Sequence, residues 1–278
     1  MDRENVNYVV NITKKILKKV MLFIVFLYIL SAIIPIVVWS FTRSWFWPSA
    51  FPQIWDNHAW QYVFSNVSKV PQAIANTIII ALIVMILSIL ISLPSARVMG
   101  LYKFKGKKIV EMLLLAPVII PPMAVGLGLT TIFIKIGLSD TMQGVIIAHL
   151  IPTLPYVNRI ISSTYETFDT RYEEQGIMLG ASSFKVFINV TFPILLPGLI
   201  TAALFGFVIS LNEFVMTFLI GGGRIITLPV LLFGFVGGTS SFDYPIASAM
   251  TILLSIPGII FLFATERIIK EEYFSMGF

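Results

Sequence analysis

Six stretches free of Asp, Glu, Lys and Arg, residues 20–40, 70–96, 112–134, 141–158, 186–212 and 244–265, constrain this chain more than any other feature. A helix rises about 1.5 Å per residue, so about 20 residues cross a hydrocarbon core about 30 Å thick, and each stretch spans or nearly spans one. A water-soluble globule has nowhere to place them. Hydrophobic residues make up 57% of the 278 positions and charged ones 12%, whereas about a quarter of an ordinary soluble domain is charged. The chain therefore reads as an all-α integral membrane protein with about six transmembrane helices.

Lys14, Lys15, Lys18 and Lys19 precede the first stretch, as the basic run of a secretory leader would. No small-x-small cleavage site follows, and Trp39, Phe41, Trp45, Phe46 and Trp47 come next. Such aromatic clusters suit a membrane interface, so the reading is an uncleaved helix. The net charge of +5 could point to a nucleic-acid partner, but the placement of the basic residues decides otherwise. With a cytoplasmic amino terminus, Arg3, the four lysines, Arg97, Lys103, Lys105, Lys107, Lys108, Arg159, Arg171, Lys185, Arg267 and Lys270 all fall inside. Only Arg43, Lys69, Lys135 and Arg224 fall outside. That asymmetry is the positive-inside signature, with both termini cytoplasmic, and no nucleic-acid footprint is present. The absence of cysteine excludes disulfides and Cys-ligated metal.

No hydrophilic stretch is long enough for a soluble domain. The expected organisation is a cytoplasmic segment 1–19, a first helix 20–41, an external loop 42–70, a core 71–270 containing a cytoplasmic loop 164–190, and a cytoplasmic tail 271–278. Prolines at 94, 117, 121, 122, 152, 155, 193, 197 and 257 interrupt the spans. Each frees a backbone carbonyl that a neighbouring helix, a side chain or a wet cavity must satisfy, although membrane helices tolerate proline more than soluble ones. Residues 225–236, between Gly221-Gly222-Gly223 and Gly237-Gly238-Thr239-Ser240-Ser241, are too few to span and suggest a re-entrant or outer-surface helix.

The loop between the fourth and fifth spans is the most informative segment. Ile177, Ala181, Phe184 and Ile188 recur at helical spacing, with Glu174, Ser182 and Lys185 elsewhere around the helix, which predicts one amphipathic cytoplasmic helix. Gly176 and Gly180, one turn apart, leave a bare patch for docking or a bend. On these grounds alone, an ordinary surface helix lying on the membrane is an equal reading.

The run Glu174-Gln175-Gly176, Gly180-Ala181-Ser182 and Val190-Thr191-Phe192-Pro193 resembles the EAA loop of bacterial ABC importer permeases, with Pro155-Tyr156-Val157 and Asp169 upstream and Pro197-Gly198 downstream. The departures are Gln175 and Gly176, where two alanines are usual, and Phe192, where leucine is usual. The resemblance implies that this loop forms a coupling helix seated in a cleft of an ATP-binding subunit, with Glu173, Glu174, Gly176, Gly180, Ala181 and Phe184 as coupling residues. It also implies a second, similar or identical permease, two ATP-binding subunits that hold ATP and Mg, and an extracytoplasmic solute-binding protein. Residues 210–214 and the proline-rich third span are most similar to the spermidine/putrescine-type branch. That branch implies a polyamine or other small polar solute, with 2-aminoethylphosphonate, thiamine and ferric iron as alternatives. Polyamine carriers often have an acidic residue where Pro122 stands here.

Glu213 is the one carboxylate in an otherwise apolar span, and such a group marks a pathway or a structural partner. It could attract a cationic solute, pair with Arg224 or brace an outer gate. Asn212 beside it could bond solute or a neighbouring helix. Pro117 and Pro121 are the other candidate pathway or gate residues, and His149 reads as an interhelical hydrogen bonder. No phosphate-cradling Gly-x-x-x-x-Gly-Lys-Ser/Thr run exists, and the two histidines and sparse acids suggest neither metal site nor nucleophile. The expectation is a non-catalytic bacterial inner-membrane subunit that binds no cofactor. The competing class, a secondary carrier or channel, would need more intramembrane charges or an internal repeat.

Overall fold

The computed structural model describes residues 3–45, 48–65, 67–237 and 243–275, with side chains from 14 to 268. Phe46 and Trp47 of the expected aromatic belt, residues 238–241, and the side chains of Arg3 and Lys270 lie outside that description. The chain opens with α1 (Arg3–Trp39), whose 37 residues include the segment 3–19 in one continuous helix. A two-stranded hairpin of β1 (Thr42–Ser44) and β2 (Ile54–Trp55) follows, then the short α2 (His58–Val63) and the long α3 (Val70–Leu101). After it come α4 (Lys107–Ile119), α5 (Pro122–Ile136), α6 (Met142–Glu166), α7 (Arg171–Met178) and α8 (Ser183–Val186). A π-helical turn (Phe187–Thr191) leads into α9 (Phe192–Leu211), followed by α10 (Val215–Ile220), α11 (Leu228–Val236) and α12 (Tyr244–Ser275).

Among the described residues, five helices are long and apolar enough to cross a membrane, and α4 with α5, bent by 94°, makes a sixth if the pair is one broken span. The expected third span is thus two short helices. Pro121 and Pro122 together remove two amide donors, and a residue before proline is driven out of the helical region. Ile120 accordingly has ψ 135° and Pro121 ψ 127°. The other span prolines behave differently from the expectation that each breaks its helix. Pro94, Pro117, Pro152, Pro155, Pro197 and Pro257 all lie inside continuous helices, because one missing amide costs one bond and leaves the neighbouring bonds in place.

The centre is a three-helix bundle of α3, α6 and α9. In lipid no hydrophobic drive gathers helices, so close approach over small residues and interhelical hydrogen bonds must do it. Ala81, Ala96, Ala202 and Ser88 are fully buried, and a β-carbon at Gly100 or Gly198 would collide with Tyr165 or Thr164. His149 of α6 shares hydrogen bonds with Ser210 Oγ of α9 (2.9 Å) and Thr217 Oγ1 of α10 (2.7 Å). Asn158 Nδ2 donates to Ser95 Oγ, joining α6 to α3. The short α11 is tied to α3 by Asn76 Nδ2 donating to the Ile226 carbonyl (3.0 Å) and by the Leu228 amide donating to Thr77 Oγ1 (2.8 Å). The outermost helix is α1, packed along α12 and apolar on its exposed surface.

Candidate functional site

Two places collect the candidate residues: the connection from α6 to α9, and the ends of α9 and α4. In the first, the amide of Arg171 donates to Asp169 Oδ1 (3.0 Å), starting α7, and the Arg171 side chain closes on the same carboxylate. These bonds, the side-chain ones first and then the backbone amide, hold the Asp169 carboxyl below its ordinary range. Glu173 and Glu174 occupy the first turn, where the helix dipole favours negative charge.

One continuous amphipathic helix is not what forms. Gly180 takes φ +83°; the Ala181 amide donates to the Gly176 carbonyl (3.1 Å) and the Gly180 amide to that of Ile177 (2.9 Å). This is a Schellman stop, which needs a left-handed residue, and glycine adopts it without a β-carbon penalty. The chain restarts at α8, where Ser182 Oγ accepts from the Lys185 amide (3.4 Å). The π-helical turn beyond it accommodates Pro193, whose missing amide leaves the Asn189 carbonyl without an α-helical donor. The bare patch expected at Gly176 is occupied: a β-carbon there would lie 3.0 Å from Val186 Cγ2.

The turn exposes what a soluble surface would cover. Met178 is 85% exposed, Leu179 88% and Phe184 72%, beside exposed Ile177, Tyr172 and Glu174. Gly180 is exposed as well, and Ala181 is half-buried. Glu173 faces the other way. It is 9% exposed, with Oε1 accepting from Arg97 Nη1 (3.0 Å) and Thr191 Oγ1 (2.6 Å) and Oε2 from Arg97 Nη2 (2.5 Å). Arg97, from the last turns of α3, counts in the sequence only as a topology charge, and its role here was missed. The one signal available was its place at the edge of an apolar stretch.

The pathway candidates are spread apart in chain and chemistry. Pro117 is half-buried within α4, and Pro121 is exposed at the 94° break. Asn212 ends α9 with Nδ2 donating to the Val208 carbonyl (2.9 Å), and it lines a cavity of about 490 Å³ between α9 and α12. Glu213 Oε1 accepts from the Met216 amide (3.1 Å). It forms no ion pair with Arg224, so that expected pairing is absent; the carboxylate caps α10 instead.

Residues 92–271 match the family described as "Binding-protein-dependent transport system inner membrane component". That range holds α4–α11, most of α12, the C-terminal end of α3 and all the candidate residues. The spermidine/putrescine transport system permease protein PotC of Haemophilus influenzae is 27% identical over 223 residues, 79% of this chain and 84% of that protein. PotC of Escherichia coli K12 is 22% identical over 89% of this chain and 92% of its own length. In shape, a bacterial ABC transporter involved in import of the acidic polysaccharide alginate superposes with a TM-score of 0.71 at 18% identity, covering 96% of this chain and 98% of that one. Given five to six candidate spans, the stopped helix between α6 and α9 and a family match over most of its length, the chain belongs to the binding-protein-dependent transport system inner membrane components and is a permease subunit of an ABC importer.

Proposed function

We propose that this permease forms half of a pore for a small polar solute, driven by ATP hydrolysed in partner subunits that dock on the α7–α8 turn. The observation that carries the docking is the exposed apolar knob of Met178, Leu179 and Phe184 around the turn from α7 to α8, two short helices that carry charged residues. Burying each such side chain is worth about 1.5–3 kcal/mol, and a partner's cleft supplies the cover that water does not. The bias of Lys and Arg toward this end supports a cytoplasmic knob and cytoplasmic termini, on the side where ATP-binding subunits and their Mg would act. Glu174, exposed beside the knob, offers a carboxylate to a basic rim, and Gly180 fixes the turn that presents it.

The pore needs a second permease, similar or identical. Support comes from the α4–α5 break, whose residues Ile119 and Ile120 are 77% and 45% exposed. Irregular backbone at membrane depth persists only where protein covers it or water reaches it, so the break with Pro117 and Pro121 faces the partner permease or the pathway. Solute arrives from an extracytoplasmic binding protein, as the family's description implies. The named function of the PotC relatives, together with Glu213 and Asn212 near the outer end of α9, favours a polyamine or similar amine-bearing solute.

Gentle purification of the tagged chain from its native membrane tests this reading. Recovery with an ATP-binding subunit and a permease partner, and ATP-dependent spermidine uptake once reconstituted, is the expected result. A folded chain that moves solute without ATP would replace this reading with a secondary carrier.

A further inference from the structure

We propose that Glu173 is a positioning residue, a joint that fixes α7 to two membrane helices at once so that a push on the α7–α8 turn moves α3 and α9 together. The proposal rests on the docking reading above and adds where the force goes. Both carboxylate oxygens are engaged, by the guanidinium of Arg97 from α3 and by the hydroxyl of Thr191, the last residue of the π-helical turn before α9. A bidentate fork fixes orientation as well as distance, and a third bond from another direction removes the remaining swivel. Glu173 and Thr191 are both buried, whereas Glu174, next to Glu173, is exposed. Successive carboxylates on one helix therefore have separate work: one faces the solvent side of the turn and one ties the turn to the bundle.

The joint also accounts for the π-helical turn. Its wider winding carries Thr191 toward α7 just before Pro193, and the seam between α7 and α8 is closed below it by Gly176 against Val186. Without the Glu173 bonds, α7 is joined to α6 by residues 167–170 and to α8 by a glycine turn, with the Gly176–Val186 packing holding it to α8 but, among the described residues, no side-chain bond to α3. Movement of the knob would then be absorbed in those links before it reached α3.

The protein has no cysteine, so pairs of introduced cysteines can carry spin labels without background. Tyr172→Cys with Ile91→Cys reports the α7 to α3 distance, and Tyr172→Cys with Phe205→Cys reports α7 to α9. Both are measured in the complete purified transporter, nucleotide-free and trapped with ADP and vanadate. With Glu173 intact, both distances stay constant between the two states. In Glu173→Gln the α7 to α3 distance shifts by about 2 Å or more on trapping, the scale of helix shifts in switching transitions, and Thr191→Val shifts the α7 to α9 distance instead. Distances in Glu173→Gln that match the parent, or that broaden equally in both states as a mere fold staple would produce, overturn the proposal. Failure of the parent complex to retain an ATP-binding subunit would count against the docking reading itself, separately from the joint.

Discussion

Gly180 ends α7 at φ +83° with open space where a β-carbon would stand, so within this chain substitutions there act through backbone strain, and a bulky side chain adds an obstacle at the proposed docking face. A β-carbon in the left-handed region costs about 1–2 kcal/mol, less for Asn. Gly180→Asn is therefore expected to retain more co-purifying ATP-binding subunit than Gly180→Ala, with Gly180→Leu lowest. Amide exchange at Ala181, whose bond closes the stop, should follow the same order. His149→Ala removes two interhelical bonds, and such bonds are worth about 0.6 kcal/mol each in membrane proteins; a loss of about 1–2 kcal/mol in detergent unfolding is expected. Asp169 carries a pH statement. Its folded-state carboxyl lies below the ordinary value because of Arg171, so its anchoring of α7 is complete above the ordinary carboxylate range and is lost only as pH falls through the depressed value. Exchange protection of the Arg171 amide should hold through mildly acidic pH in the parent and be pH-independent in Asp169→Asn. Gly180 was legible in the sequence because its spacing from Glu174 and Pro193 is a motif. Arg97 was not: its partner lies 76 positions away, and one sequence cannot distinguish a topology charge from half of an ion pair.

Element boundaries followed the apolar runs where the run itself dictates structure. Residues 70–96, 186–211 and 244–265 sit inside α3, the run from α8 through the π-helical turn to α9, and α12, because in lipid a backbone must satisfy its own hydrogen bonds. Periodicity misled at 177–188, where Ile177, Ala181 and Phe184 keep helical spacing although the helix stops between them; three-residue recurrences cannot register a two-residue reversal. The proline count misled too, since consecutive prolines break a span and isolated ones do not. This gives an element-scale prediction. Pro121→Ala with Pro122→Ala restores two amide donors and should straighten α4 and α5 toward one helix. Thiol labelling of Ile119→Cys by a water-soluble reagent should fall as a result, and solute uptake with it. Unchanged labelling would mean that packing against α6 and α10 imposes the 94° bend.

At the scale of the molecule, the bundle of α3, α6 and α9 is a stiff core with two incomplete surfaces. One is the α4–α5 break, which the proposed function covers with a second permease or a watered pathway. The other is the exposed apolar knob on the α7–α8 turn, which the proposed function covers with a soluble partner. Both lie in the segment shared with the importer family, while α1 and the hairpin with α2 lie outside it. The proposed coupling depends on what the knob touches. The direct measurement is photo-cross-linking in native membranes with a photoreactive phenylalanine analogue in place of Leu179, 88% exposed at the tip of the turn. One dominant adduct is expected, to an ATP-binding subunit, abolished when the same analogue is combined with Gly180→Leu. Adducts confined to lipid, with no ATP-binding subunit among them, would contradict the proposed coupling and return the turn to a helix lying on the membrane.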